Sequence, residues 1–196
     1  MLYSVLLAGG RSSRMGQNKA LLKWRGQTLL DRALALLQGT GSDRIFLSGQ
    51  FDGYDCIADL VPNAGPLGGI YSTLALIRTE YVLDGSLLLV VPVDMPLLSS
   101  NALARLLVNM QGRQAVRYEN EMFPCALRTS EALHDYLHEQ LFNANDKRGL
   151  VSMGALLHYL QADSISSKGL EPEVFLNVNR PEDWLKMQHM SVGQDL

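Results

Sequence analysis

A loop rich in glycine and basic side chains follows the first apolar segment of the chain. Gly9 and Gly10 are followed by Arg14 and Lys19, and the first 30 residues contain five bases and no acid. Glycine lets backbone N–H groups approach an anion closely, and arginine and lysine supply charge that can replace water around phosphate oxygens. These residue types at this spacing predict a site for a compact anion near the N-terminus.

A single aspartate follows the most apolar segment of the chain. Asp94 comes directly after residues 86–93, a nearly continuous apolar run that is typical of a strand covered on both faces in a parallel sheet. The basic loop likewise follows a buried strand, predicted at residues 2–8. Because ligands of open α/β sheets bind beyond the carboxyl ends of parallel strands, the loop and Asp94 should face each other across one crevice. A nucleotide with a metal ion would suit that crevice.

Strand-like and helix-like segments alternate along the chain, and this alternation predicts a three-layer α/β fold with a mostly parallel central sheet and helices on both faces. The direction of the strands at 114–118 and 123–127 stays open. The predicted strands are 2–8, 44–48, 56–58, 86–93, 114–118, 123–127 and 174–178. The predicted helices are 30–39, one from 67, one capped by Ser99 or Ser100, 131–140, 150–160 and one from Pro181.

Composition and charge exclude several classes of protein. Hydrophobic residues make up 47% and charged residues 19%, the mix of an ordinary globular domain. The longest apolar runs, 33–37 and 87–91, are far shorter than the roughly 18 residues that suggest a membrane span. The net charge of −3 argues against general affinity for nucleic acid. We expect one domain over residues 1–196 in the cytoplasm, because strand-like sequence near residue 2 leaves no room for a secretory leader.

Several common motifs are absent from the sequence. There is no Gly-Lys dipeptide, which excludes the usual P-loop, and no G-x-G-x-x-G follows the first strand, which argues against a dinucleotide-binding dehydrogenase. The two cysteines, Cys56 and Cys125, lack the spacing of a zinc site, and the four histidines lack metal-ligand spacing. Packing roles are favoured for the two cysteines, and surface or packing roles for the four histidines, His134, His138, His158 and His189.

Four motifs together resemble one known family. Residues 6–10 (LLAGG), followed by Arg14-Met15-Gly16 and Lys19, are similar to the L-A-G-G-x-x-x-R-M-G-x-x-K signature of nucleotidyltransferases of the molybdenum cofactor guanylyltransferase type. The similarity continues at residues 65–69 (GPLGG), 93–96 (VDMP) and 175–179 (FLNVN), and so spans nearly the whole chain. The resemblance implies the three-layer Rossmann-like fold of GT-A-like nucleotidyltransferases.

The resemblance also implies roles for residues within these motifs. Lys19 neutralises the nucleotide phosphates with help from Arg14, and Asp94 holds Mg²⁺ with Asn179 as a candidate second ligand. Asp59 matches a nucleotide-contacting aspartate, whose carboxylate can accept hydrogen bonds from both N1–H and the 2-amino group of guanine. The implied catalytic residues are Arg14, Lys19 and Asp94, the metal ligands Asp94 and Asn179, and the nucleotide-binding residues Leu7, Ala8, Gly9, Gly10, Lys19, Ser48, Asp59, Gly68 and Asp94.

Structural alternatives remain open for these residues at this stage. Lys19 could be a solvated loop lysine, Asp94 a helix cap and Asp59 a turn former, and Asn-x-Pro at Asn179 makes a good helix start without any metal.

The sequence also departs from the family pattern. Ser48 stands where asparagine is common, and Arg180 where threonine is usual. Phe123 precedes Pro124, where a histidine is common, and Lys147 and Arg148 are the best candidates for contacting the acceptor phosphate.

The implied reaction is transfer of GMP from GTP to the terminal phosphate of molybdopterin, which gives molybdopterin guanine dinucleotide and pyrophosphate. One alternative is a related nucleotidyltransferase that uses CTP or a sugar-phosphate acceptor, and another is a non-catalytic nucleotide-binding regulator. We expect a monomer with no nucleic acid or membrane partner. Transient contacts with other cofactor-biosynthesis proteins or recipient molybdoenzymes would accompany the first function.

Overall fold

The computed structural model describes residues 1–9, 18–142 and 152–190. The strands are β1 (Leu2–Leu7), β2 (Lys23–Trp24), β3 (Gln27–Thr28), β4 (Arg44–Ser48), β5 (Cys56–Ile57), β6 (Leu87–Pro92), β7 (Ala115–Tyr118), β8 (Cys125–Arg128) and β9 (Asp163–Ile165). The α-helices are α1 (Leu29–Gln38), α2 (Pro66–Glu80), α3 (Ser100–Val108), α4 (Glu131–Phe142), α5 (Met153–Tyr159) and α6 (Pro181–Met190).

Seven of the strands form one mixed sheet in the order β5-β4-β1-β6-β8-β7-β9. Strands β5, β4, β1 and β6 are parallel neighbours, β8 pairs antiparallel with both β6 and β7, and β9 is parallel to β7. Leu7 pairs with Ser48 on one side and with Pro92 on the other, so β1, β4 and β6 end together at one edge. Because β8 runs the opposite way, its first residues lie at that same edge.

Helices cover both faces of this sheet, which confirms the predicted three-layer α/β architecture. Successive side chains of a strand point to opposite faces, and in β1 Val5 packs in one hydrophobic core while Leu6 packs in the other. The core around Leu6 includes buried residues of α1, α3 and α6, whereas the core around Val5 includes those of α2, α4 and α5. The apolar runs in β1 and β6 are continuous because both faces of these strands are buried.

Polar caps fix the starts of several helices. The Thr28 hydroxyl accepts a hydrogen bond from the Asp31 N–H at 3.0 Å at the start of α1, and Ser99 does the same for α3. Ser99 rather than Ser100 is therefore the cap of α3. Capping residues of this kind satisfy N–H groups that have no partner within the helix.

The predicted strand at 174–178 is wrong. Residues Pro172–Phe175 form a 3-10 helix, and β9, which was not predicted, takes the sheet edge beside β7. Pro172 favours a helix start and has no N–H for a strand ladder, so the apolar pattern of Val174 and Val178 reflects burial without pairing. A short β2–β3 hairpin was also missed; its turn uses positive φ at Arg25 and Gly26 (50° and 82°).

Among the described residues, no helix combines the length and the apolar character needed to cross a membrane.

Candidate active site

A crevice of about 810 Å³ opens at the edge where β1, β4 and β6 end. It receives side chains from segments far apart in sequence, because the carboxyl ends of parallel strands meet there. Its described lining residues are Leu7, Gly9, Lys19, Ser48, Asp59, Asn63, Gly65, Pro66, Pro92, Val93, Asp94, Phe123, Asn177 and Asn179.

Lys19 lies between two oxygen atoms in the centre of this crevice. Its Nζ donates to Asp94 Oδ2 at 2.6 Å and to Asn179 Oδ1 at 2.9 Å. The side chains of Lys19 and Asp94 are only 23% and 15% exposed. The predicted approach to Asp94 is confirmed for Lys19, at the end of the basic loop, since Lys19 and Asp94 are in direct contact.

The backbone around Asn179 directs its amide toward Lys19. The Asp183 carboxylate, in the first turn of α6, accepts hydrogen bonds from the Asn179 and Arg180 N–H groups at 3.0 and 2.8 Å and so holds the backbone that precedes the helix. The preceding N–H of Val178 donates to the Asp94 carbonyl at 2.8 Å and ties this segment to the end of β6. Asp183 therefore fixes the backbone at Asn179, and the Asn179 side chain contacts Lys19.

Ser48 connects the end of β4 to both β1 and Asp59. The Ser48 carbonyl accepts from the N–H groups of Ala8 and Gly9, each at 2.9 Å, while its hydroxyl donates to Asp59 Oδ1 at 3.3 Å. The Ala8 and Gly9 N–H groups are thus used inside the fold. A carboxylate oriented in this way can accept hydrogen bonds from N–H groups of a base.

A smaller pocket of about 290 Å³ adjoins the crevice and shares Gly9 and Asp59 with it. Its other lining residues are Ala8, Asn18, Gly49, Gln50 and Phe51.

The loop between β4 and β5 lines this pocket, and hydrogen bonds to Asp31 hold that loop against α1. Thr28 Oγ1 and the Tyr54 hydroxyl each donate to the Asp31 carboxylate at 2.6 Å, and these bonds lower the pKa of Asp31. Tyr54 in turn makes an edge-on contact with Phe51. Tyr54 therefore supports Phe51, which lines the pocket, through its own contact with α1.

The glycines of the GPLGG segment have two different roles in the structure. Gly65 and Pro66 line the crevice at the start of α2, whereas Gly68 does not line it. Gly68 is buried in α2, where an added Cβ would lie 2.9 Å from the Ala64 Cβ. At Gly69 an added Cβ would lie 2.5 Å from Ser48 Oγ. Gly68 and Gly69 thus allow α2 to pack closely against its neighbours.

Phe123, Asn177 and Asn63 line the crevice but were not selected as site residues from the sequence. Asn177 belongs to the same FLNVN motif as Asn179, so that motif carried a usable signal. Phe123 was visible only as a departure from the family pattern. Asn63 lies in a turn with φ of 62°, and nothing in its sequence context pointed to a site. Of the predicted residues, Gly10, Arg14, Lys147 and Arg148 lie outside the described residues.

Two groups of side chains in the described part of the chain offer ligand atoms for a metal ion. Asp94 and Asn179 present a carboxylate and an amide oxygen to the Lys19 ammonium within the crevice. On α4, ligand atoms of Glu131, His134 and Asp135 lie within 4.8 Å of one another, but Glu131 already pairs with Arg78 at 2.8 Å. Only the first group lies in the crevice.

An α/β sheet with a crevice at the carboxyl edge, in which a lysine meets an aspartate, has the architecture and the charged groups that a nucleotidyltransferase requires. The crystal structure of molybdopterin-guanine dinucleotide biosynthesis protein A from Archaeoglobus fulgidus has the same fold, with a TM-score of 0.73 at 19% identity over 99% of this chain and 100% of that one. A Mycobacterium tuberculosis protein solved as a manganese complex also shares it, with a TM-score of 0.66 at 18% identity over 96% and 98% of the two chains.

The chain belongs to the MobA-like NTP transferase family, whose domain model matches residues 4–161. A relative from Xanthomonas euvesicatoria pv. vesicatoria, named molybdenum cofactor guanylyltransferase, is 42% identical over 185 residues, which cover 94% of this chain and 93% of the relative. The family resemblance inferred from the sequence motifs is therefore confirmed.

Proposed function

We propose that this protein transfers GMP from GTP to the terminal phosphate of molybdopterin, giving molybdopterin guanine dinucleotide and pyrophosphate. The observation that carries the proposal is the contact of Lys19 with both Asp94 and Asn179 in the crevice. These residues come from three of the four family motifs. The name of the 42% identical relative supports the same reaction and the same pair of substrates.

In this reaction a terminal phosphate oxygen of the acceptor attacks the α-phosphorus of GTP. The bond from the α-phosphorus to the bridging oxygen of the β-phosphate breaks, and pyrophosphate leaves with that electron pair. The acceptor phosphate is largely ionised near neutral pH, since its second pKa is about 6. A general base therefore has little to do, and positioning with charge stabilisation supplies the rate.

Lys19 is suited to stabilise the charge that develops on the phosphates. Its ammonium is largely shielded from solvent, and in such a site a positive charge interacts more strongly with an anion than it would in water. Asp94 and Asn179 hold the ammonium in place before the substrate arrives. We assign Arg14 and Gly10 to the same phosphate-binding loop.

The donor set of Asp94 and Asn179 fits Mg²⁺. A carboxylate and an amide oxygen are hard ligands of the kind that Mg²⁺ prefers, and both already converge on a cation, the Lys19 ammonium. When bound, the ion would replace the Lys19 ammonium at these two oxygens, leaving both positive charges available to the reacting phosphates. The manganese complex of the M. tuberculosis structural neighbour supports use of a divalent cation at this fold.

Guanine recognition is assigned to the side of the crevice formed by Ser48 and Asp59. The Ser48 hydroxyl orients the Asp59 carboxylate, which can then accept from N1–H and the 2-amino group of guanine. Leu7 and Gly9, at the end of β1, line the crevice near Asp59, and Ala8 lines the adjoining pocket. We further propose that the chain acts as a single-domain monomer in the cytoplasm, without a nucleic acid or membrane partner, and contacts cofactor-biosynthesis proteins or molybdoenzymes only transiently.

The direct test follows GMP transfer from labelled GTP to molybdopterin in the presence of Mg²⁺. Wild type should form labelled dinucleotide and pyrophosphate, and Lys19→Ala should lower turnover by roughly 100-fold, as expected for loss of one transition-state contact. Lys23→Ala is the matched control, because Lys23 is an exposed lysine four residues away that does not line the crevice. Normal turnover in folded Lys19→Ala protein would refute the role of Lys19.

Thermal unfolding with Mg²⁺ and each of GTP, CTP, ATP and UTP separates the other candidate functions. A ligand at about 100 times its dissociation constant adds roughly 2.7 kcal/mol to the free energy of unfolding and raises the midpoint by several degrees. GTP should stabilise the protein more than the other nucleotides. Preference for CTP would contradict the guanylyl transfer, and GTP binding without any transfer would support a non-catalytic regulator.

A further inference from the structure

The crevice has two sides that differ in chemistry. Ser48 and Asp59 lie on the side of β4 and β5, and Asp94 lies at the centre, after β6. Phe123 lies on the other side, two residues before β8, which is the next strand beyond β6 in the sheet. A base held by Asp59 therefore leaves the side of Phe123 for the acceptor.

Phe123 is the only aromatic residue among the described lining residues of the crevice. It is partly buried, and it packs against both hydrophobic cores, one on each face of the sheet. Among the partly buried hydrophobic residues in the described part of the chain, it alone contacts both cores. Contacts with both cores therefore hold Phe123 in place, while part of its surface lines the crevice.

A fixed aromatic ring in a polar crevice favours a flat, ring-shaped ligand. The described lining also includes Asn177, a residue whose amide can both donate to and accept from a heterocycle. Aromatic side chains stack on heterocyclic rings in a way that tolerates different ring substituents, because every such ring has a π face. An aliphatic acceptor, such as a sugar phosphate, would gain little from Phe123.

We propose that Phe123 is the stacking residue of the acceptor subsite and that it positions the flat pterin ring of the acceptor on the β8 side of the crevice. This inference rests on the proposed function, because that function identifies the acceptor as a pterin. Phe123 thereby sets acceptor specificity without contacting the reacting phosphates. The guanine base lies on the opposite side, against Asp59.

The test measures binding of 6-hydroxymethylpterin, by its own fluorescence anisotropy, to wild type, Phe123→Leu and Phe123→Tyr. Leucine keeps an apolar side chain but removes the π face, so we expect the pterin Kd to rise about 10-fold, equivalent to about 1.4 kcal/mol. Tyrosine should restore binding. Phe175→Leu is the matched control, since Phe175 packs on Tyr118 outside the described lining of the crevice. Thermal unfolding establishes that each variant is folded.

Steady-state kinetics with GTP and molybdopterin complete the test. Phe123→Leu should raise KM for molybdopterin by about the same factor while KM for GTP and kcat stay unchanged. The proposal is overturned if wild type does not bind the pterin probe, if Phe123→Leu leaves its Kd unchanged, or if KM for GTP rises instead. Failure of wild type to transfer GMP while pterin binding still depends on Phe123 would refute the proposed function but leave the stacking role intact.

Discussion

The ammonium of Lys19 contacts two oxygen atoms that come from residues 75 and 160 positions further along the chain. At the scale of residues, each of these side chains has an ordinary structural explanation when taken alone. The contact excludes a freely solvated Lys19, and it brings the lysine, the aspartate and the asparagine together in one crevice. Asp183 holds the backbone N–H of Asn179, and the Asn179 amide oxygen accepts from Lys19.

Asp59 is the residue on which base preference should depend. Asp59→Asn replaces one acceptor oxygen with an NH₂ donor and removes the charge, so it should lower kcat/KM for GTP by about 10- to 100-fold, the value of a hydrogen bond to a charged group. The preference for GTP over CTP should fall by a similar factor, as measured by competing the two nucleotides.

Asp55→Asn is the matched control for this prediction. Asp55 is a carboxylate four residues earlier whose side chain is 91% exposed and which pairs with Arg44 outside the crevice. It should leave nucleotide preference unchanged. Equal loss of preference in both variants would contradict the role of Asp59.

At the scale of elements, the close approach of α2 to β4 decides where Ser48 can lie. Pro66 begins α2 at the crevice, and Gly69 allows the helix to contact Ser48 and Leu7 directly. A side chain at Gly69 would push the helix away from the sheet, whereas one at Gly68 would meet Ala64 and Val61 in the segment before the helix. The GPLGG motif therefore acts largely through packing, and it supports Ser48 at the crevice.

Gly69→Ala tests this packing. The added Cβ would lie 2.5 Å from Ser48 Oγ and 2.7 Å from Leu7 Cδ2, so overpacking should cost about 1–3 kcal/mol of the free energy of unfolding measured in urea. The displaced Ser48 should also weaken GTP binding.

Gly154→Ala provides the comparison within another helix. Its added Cβ would meet only ordinary contacts, at 3.6 Å from Ser152 Oγ and 3.8 Å from Met122 Cε. Alanine also has the higher helix propensity, so stability should rise by about 0.5–1 kcal/mol. If Gly69→Ala unfolds at the same urea concentration as wild type, the close packing of α2 is wrong.

At the scale of the whole molecule, Cys125 reports on the opening of the sheet. It begins β8, between β6 and β7, and it is fully buried, which raises the pKa of its thiol to about 12. Because the thiolate is the reactive form, this thiol should be inert until the fold opens. Cys56 lies in β5, an edge strand of the sheet, and it is only partly buried.

In a Cys56→Ala background, a thiol reagent at pH 8 should label Cys125 slowly in the native protein and promptly in urea. GTP at about 100 times its Kd should slow native labelling by about 100-fold, because it stabilises the closed state by roughly 2.7 kcal/mol. Mass spectrometry of quenched samples measures the labelled fraction. Prompt labelling without urea, or no effect of GTP, would show that Cys125 is reached through local openings.

Much of the fold was predictable from local patterns. The strands β1, β4 and β6, the helix α1 and the starts of α2 and α3 were predicted within one or two residues, because buried runs, helical stripes and polar caps are local properties. The antiparallel direction of β8 was not predictable, since neighbouring strands in sequence can pair either way. The false strand at 174–178 arose because Val174 and Val178 are buried without being paired, and burial alone does not distinguish a strand from a packed turn.

The sequence by itself determined the family, the class of fold and the residue types of the crevice, because motifs and alternating apolar patterns are properties of short segments. Only the tertiary structure decided that Lys19 contacts both Asp94 and Asn179, that Gly68 packs within α2, and that Phe123 lines the crevice. These facts depend on strand order and on the approach of elements distant in the chain. Such contacts depend on how distant elements pack together, so no local sequence pattern predicts them.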